Sequence, residues 1–158
     1  FELFEGKSSY NVSKATIHNY FRELTMDVDA AYMGFYFLEF VDYFCQENND
    51  EKEMLKLLYQ SLKALSKPEL SKRFVKAIYE IKMIMLNGEF RGVPEAGELQ
   101  GIQKVIRYLW EERPEKVYSF LLSDELWKEL IAVADRARKE VIDRPMNTFL
   151  LLEELENI

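Results

Sequence analysis

The sequence predicts a mainly α-helical, bundle-like domain preceded by a short β-hairpin. Three observations lead to this prediction. Residues 32–41 and 74–88 form two nearly all-apolar stretches, which is typical of helices that lie inside a core. Apolar residues recur at helical spacing from about Met26 onward. Residues 1–17 alternate loosely and include β-branched residues, which favours strands.

The first 24 residues predict a hairpin and a linker, with a turn signal at residues 6–9. Isolated hairpins are marginal in water, and free strand edges invite other chains. We therefore expect this hairpin to lie against the helices or to pair with a neighbouring copy. Its apolar residues are Phe1, Leu3, Phe4, Tyr10, Val12 and Ile17.

Residues 25–158 predict the helical domain, which capping signals divide into separate helices. Asp27 or Asp29 can cap the first helix, Asp50 the second, and Ser123 the long fifth helix. Gly88 can end the third. The predicted helices cover about residues 28–47, 51–66, 68–87, 98–112, 124–142 and 149–155, with a loop over 88–97.

Composition limits the possible functions. The net charge is −7, which argues against a surface that mainly binds phosphate but is compatible with a local basic patch. Cys45 is the only cysteine, so a disulfide within the chain is excluded and a reducing, cytoplasmic location is favoured. The sequence shows neither a membrane span nor a signal peptide. Because it begins with Phe1, we expect the chain to be a fragment.

The first apolar stretch contains polar groups that need partners inside a core. Tyr32, Tyr36, Glu39 and Tyr43 have the spacing of one helical face, so we expect the hydroxyls and the carboxylate to satisfy each other. Gly34 costs about 1 kcal/mol relative to Ala in a helix, which indicates close approach of a neighbouring helix.

The second apolar stretch contains Glu80, for which we expect ion pairing with Lys76 and with the nearby Lys72 and Lys82. A di-metal carboxylate site would need Glu-x-x-His pairs, and the only histidine, His18, lies outside both stretches. A catalytic carboxylate would need a neighbouring acid or base, and the sequence indicates none. We therefore expect no metal, no cofactor and no enzymatic activity.

Basic residues are concentrated around the second stretch, which permits two interpretations. A cationic rim around an apolar groove would suit an acidic, apolar peptide tail. Alternatively, the basic residues form a solvated helix face. The residues concerned are Lys67, Lys72, Arg73, Lys76 and Lys82, beside Leu70, Phe74 and Ile78.

The two apolar stretches also resemble the helical domain of the bacterial recombination-mediator protein family RecO. In that family one helix reads Tyr-x-Gly-x-Tyr-x-x-Glu-Leu, and a later one reads Phe-Glu-Leu followed by an apolar stretch and Gly. Residues 1–24 resemble the last hairpin of the family's OB-fold and the linker after it. The matching positions are Tyr32, Gly34, Tyr36 and Glu39, then Tyr79, Glu80, Ile81 and Gly88.

This resemblance implies a non-enzymatic role in DNA repair and recombination. RecO proteins anneal strands, help to load recombinase, work with RecR and recognise the acidic tail of single-stranded-DNA-binding protein. The resemblance implies that DNA is bound mainly through the OB-fold, most of which is missing here. Many members carry a four-cysteine zinc module where this chain has residues 88–97 without cysteine, so no zinc is implied.

The tail-binding residues differ from those of the family as well. Where members have an Arg pair before Phe-Glu-Leu, this chain has Ala77 and Ile78, so tail binding would depend on Lys76, Lys82 and their neighbours. The alternative function is a helical adaptor or regulatory domain unrelated to DNA repair.

Overall fold

A computed structural model describes residues 1–93 and 100–156, and this part of the chain is mainly α-helical, as predicted. Residues 94–99, within the predicted loop and the start of the fourth helix, lie outside the described residues. No helix in the described part is long and apolar enough to cross a bilayer. The elements are β1 (Glu2–Glu5), β2 (Tyr10–Lys14), α1 (Arg22–Thr25), α2 (Val28–Phe44), α3 (Lys52–Leu65), α4 (Lys72–Leu86), α5 (Gln100–Glu111), α6 (Asp124–Val141) and α7 (Asn147–Glu156).

The predicted hairpin is present, but it does not pack on the helices. β1 pairs antiparallel with β2 across a turn in which the Gly6 N–H donates to the Ser9 carbonyl at 2.8 Å. Every residue of both strands is exposed, including Phe4 at 69%. The expectation of packing on the helices is wrong, because the helices bury their apolar faces on one another. Pairing with another copy stays a prediction.

Helices α2 and α4 lie at the centre of the fold, as predicted. Phe37 of α2 stacks on Tyr79 of α4 with ring centroids 4.0 Å apart, and both rings are fully buried. Full burial of an aliphatic or Phe side chain stabilises a fold by about 1.5–3 kcal/mol. The buried residues of α4 are Phe74, Val75, Ala77, Ile78, Tyr79, Glu80, Ile81, Lys82, Met83, Ile84 and Met85.

Two glycines confirm their predicted roles. A Cβ built on Gly34 would lie 3.3 Å from the Cδ2 of Leu62, so glycine permits the close contact between α2 and α3 at this position. Gly88 ends α4 with a φ of 79°, a conformation that glycine adopts without a steric penalty. The N–H of Gly88 and the N–H of the next residue donate back to the carbonyls of Met85 and Ile84, at 3.0 and 3.1 Å.

Capping signals placed some helix starts correctly and others a few residues early. Asp27 caps α2 and Ser123 caps α6, each by accepting a hydrogen bond from a backbone N–H in the first turn. The N-cap of α3 is Glu51 instead of Asp50. The N-cap of α4 is Ser71, because the chain forms a turn before it.

Candidate partner-binding groove

Two surface cavities meet beside α4. One, of about 580 Å³, lies between the start of α2 and the α3–α4 turn. The other, of about 270 Å³, lies between α4, α6 and α7, and is called the cationic groove below. Arg73 and Leu152 line both cavities. The charged and aromatic lining of the cationic groove consists of Arg73, Lys76, Glu80, Asp135, Arg138, Lys139 and Phe149.

Glu80 forms the floor of the cationic groove and is fully buried. Its Oε1 accepts a hydrogen bond from the Tyr36 hydroxyl and lies 3.0 Å from Lys76 Nζ and 3.6 Å from Arg138 Nε. The predicted pairing of Glu80 with Lys76 is confirmed. Arg138, the further partner, has no local signal in the sequence, because it approaches from a helix about 58 positions further along the chain. Because a carboxylate left unpaired in a core is costly, these three partners offset the cost of burying Glu80.

The cationic groove has a surplus of positive charge. Its lining contains four cations and two carboxylates. One carboxylate, Asp135, lies 3.5 Å from the Arg138 guanidinium, and the other is Glu80. Lys139 is exposed on the same rim. Lys76 and Arg138 offset these two carboxylates, so among the described lining residues the exposed Lys139 adds positive charge at the rim, on a chain whose net charge is −7.

The aromatic ring of Phe149 covers the two cations beside Glu80. The guanidinium of Arg138 lies over this ring at 3.8 Å from its centroid, and Lys76 Nζ lies at 5.0 Å. Such cation–π contacts stabilise by about 0.5–2 kcal/mol, depending on solvent exposure. Burial, with the Glu80 carboxylate beside it, raises the pKa of the Tyr36 hydroxyl, which therefore stays protonated as a donor.

Glu39 does not have the partners predicted for it. Its two carboxylate oxygens accept hydrogen bonds from the backbone N–H groups of Asn147 and Thr148, at 2.8 and 2.9 Å. Glu39 therefore caps α7, because it lies on the face of α2 against which α7 starts. Tyr43 also has a different partner, since its hydroxyl lies 2.9 Å from the carboxylate of Asp143.

The two remaining tyrosines of the predicted pattern are in contact with the core. Tyr79 is fully buried and donates its hydroxyl proton to the carbonyl of Phe37 at 2.8 Å. Tyr32 is half-buried and packs against the core.

Of the predicted partner-binding residues, Lys72, Arg73 and Lys76 reach the surface cavities. Lys72 lines the larger cavity and pairs with Asp27 at 2.6 Å. This hydrogen bond lowers the pKa of the Asp27 carboxyl. Arg73 and Lys76 line the cationic groove.

Ile78 and Lys82 do not lie on a binding surface, so this part of the prediction is wrong. Ile78 is fully buried and Lys82 is 4% exposed. The Lys82 ammonium donates to the carbonyls of Leu109, Trp110 and Glu112 at 2.6, 3.4 and 2.8 Å. This side of α4 faces the end of α5, where unpaired carbonyls attract a cation.

Phe74 lies in a different place from the cationic groove. Its ring packs at 5.5 Å from both Phe120 and Trp127, in a cleft of about 210 Å³ called the aromatic cleft below. The residues predicted as one surface are therefore divided between the cationic groove, the aromatic cleft and the core.

Comparison with known proteins confirms the resemblance predicted from the sequence. Residues 26–89 match the family described as Recombination protein O C terminal, RecO_C. The chain is 34% identical over 93 residues to DNA repair protein RecO of Caldicellulosiruptor bescii, covering 57% of this chain and 36% of that protein. DNA repair protein RecO of Caldicellulosiruptor saccharolyticus gives the same values.

A third relative aligns more widely and at lower identity. DNA repair protein RecO of Acetivibrio thermocellus is 21% identical over 191 residues, covering 100% of this chain and 76% of that protein. No solved structure matches the chain. The chain spans about a third of the length of the first two relatives. The matched residues 26–89 include α2, α3 and α4, and so include the α4 wall of the cationic groove.

Proposed function

We propose that this chain, whose sequence is of the RecO type, is a non-enzymatic interaction domain for DNA repair and recombination. The similarity to proteins named DNA repair protein RecO supports this role. Residues 25–158 would be the helical domain, and residues 1–24 the end of an OB-fold. The domain would be a scaffold for RecR and for the tail of single-stranded-DNA-binding protein, supporting strand annealing and recombinase loading. DNA would be bound mainly through the OB-fold.

The cationic groove is the proposed docking site for the acidic tail. Its cations are adjacent to apolar groups of α4 and α6, among them Ala77, Ile131 and Ala134. A tail with both carboxylates and apolar side chains complements this lining, because the charges attract while the apolar groups are removed from water. Each exposed carboxylate–cation pair would contribute about 0.2–1 kcal/mol.

A peptide titration with matched charge reversals tests the docking site. A fluorescent synthetic peptide of the acidic tail is titrated with the wild-type chain, and anisotropy reports binding. Lys139→Glu should weaken binding by about fivefold, because it replaces an attractive rim charge by a repulsive one.

Lys128→Glu is the matched control. Lys128 is exposed on the same helix but does not line the cationic groove, and the substitution changes the net charge equally. Equal weakening by both variants would indicate only a general charge effect. Unchanged affinity in Lys139→Glu would reject the groove as the tail site.

A further inference from the structure

We infer that α7 is an internal ligand of the cationic groove, and that a peptide gains full access to the groove when α7 moves aside. This inference depends on the proposed docking of an acidic tail in the groove. Helix α7 would then regulate the affinity of the groove for the tail, because the docked helix and the tail would compete for the same cations.

Helix α7 is held in place mainly by α2, outside the groove. Glu39 of α2 caps its first turn through two backbone N–H groups. Just before the helix, Arg144 pairs with Asp42 of α2 at 2.8 Å, and Met146 is buried. The attachment of α7 can therefore be weakened without changing a groove cation.

Phe149 is the side chain through which α7 covers the groove cations. The ring lies over the Arg138 guanidinium and near the Lys76 ammonium. These cations are only 13% and 16% exposed, and are the two closest to Glu80. A carboxylate from a partner would need the space that this ring covers.

The sequence of α7 has the same chemistry as the expected partner. An aromatic residue and three leucines are followed by Glu153, Glu154 and Glu156, so the segment is apolar and acidic. A ligand attached to the same chain competes at high effective concentration. The apparent affinity for an external peptide is then reduced in proportion to the fraction of chains with α7 undocked.

The docked arrangement leaves polar atoms unsatisfied. Among the described residues, Glu80 Oε2 and Arg138 Nε are buried without a hydrogen-bond partner. Buried polar atoms are usually paired, and an unpaired one is costly. A tail carboxylate that accepts from the Arg138 Nε–H would remove part of this cost, which favours exchange of α7 for the tail.

The test uses Glu39→Gln in the full chain, with the same fluorescent tail peptide. Glu39 does not line the groove, so the substitution acts on α7 alone. We expect faster hydrogen exchange at residues 147–152 and peptide binding about threefold tighter, because the helix cap loses its charge and one of its two acceptor oxygens. Glu53→Gln, an exposed residue of α3, is the control and should change neither measurement.

A second variant, Phe149→Ala, removes the ring from the cations and should also tighten peptide binding. Unchanged or weaker binding in this variant would overturn the inference, since it would show that the ring belongs to the docking site. Faster exchange with unchanged affinity in Glu39→Gln would overturn it too, while the Lys139→Glu result would still support the proposed function. Absence of peptide binding in all variants would overturn both.

Discussion

Glu80 and Lys82 lie two positions apart on α4, and both are buried, but their surroundings differ. Lys82 donates to three backbone carbonyls at the end of α5. Glu80 pairs with two cations and accepts a hydrogen bond from the Tyr36 hydroxyl, and it lies beneath a cavity. The lysine is thus enclosed by neutral groups, whereas the carboxylate is part of a charged cluster that reaches the surface.

This difference indicates separate roles for the two sides of α4. The carbonyls at the end of α5 accept all the hydrogen bonds described for the Lys82 ammonium, so Lys82 fixes α4 against α5. Beside this cluster the exposed Lys139 lies on the rim, so the cationic groove retains attraction for an anion. One helix therefore supplies a structural contact on one side and a candidate docking site on the other.

The largest expected effect comes from Glu80→Ala. Lys76 and Arg138 would remain mostly buried without their shared carboxylate, and breaking such a buried pair costs about 3–5 kcal/mol. Urea unfolding measures this loss. A loss below about 1 kcal/mol would contradict this account, because it would mean that water satisfies the two cations.

Lys82→Met should destabilise less, by about 1–3 kcal/mol. Methionine fills much of the lysine volume but leaves the carbonyls of Leu109 and Glu112 without their donor. Hydrogen exchange should become faster in α5, while affinity for the tail peptide stays the same. A changed peptide affinity would contradict the separation of the two sides of α4.

Alkaline pH should affect the two sides in opposite directions. Burial raises the folded pKa of Tyr36 above 10.0, so its stabilisation is present below pH 10.0 and is lost as the pH rises above that value. Burial lowers the folded pKa of Lys82 below its ordinary value of 10.5. Between the folded pKa and 10.5 the unfolded chain binds more protons than the folded chain, so the free energy of unfolding rises with pH in that interval. Each slope is at most about 1.4 kcal/mol per pH unit.

Urea unfolding across this pH range checks the prediction with two variants. Tyr36→Phe should lose less stability than the wild type as the pH rises above 10.0. Lys82→Met should lose more stability than the wild type, because the rise in stability that comes from the lowered pKa of Lys82 is absent. Identical pH dependence in all three chains would show that neither group titrates differently in the folded state.

The sequence predicted the features that depend on local pattern. The apolar stretches gave α2 and α4, and Gly34 and Gly88 gave a close helix contact and a helix end. The alternation in residues 1–17 predicted the hairpin correctly. It did not predict that the hairpin is exposed, because a strand pattern does not identify the element on which a strand packs.

The features that were not predicted depend on distant backbone groups. Glu39 caps a helix more than 100 positions away, and Lys82 binds carbonyls that every residue type provides. Neither partner has a side-chain signal in the sequence. The contact of Arg138 with Glu80 depends on how α6 packs on α4, which no local pattern specifies.

The most direct test maps where the acidic tail peptide binds. Backbone amide chemical shifts of the isotope-labelled chain are followed during titration with the peptide. The proposed function predicts the largest shifts in residues 73–80 of α4 and 134–139 of α6, with further shifts in α7. Shifts confined to the aromatic cleft of Phe74, Phe120 and Trp127, or to the hairpin, would contradict docking in the cationic groove.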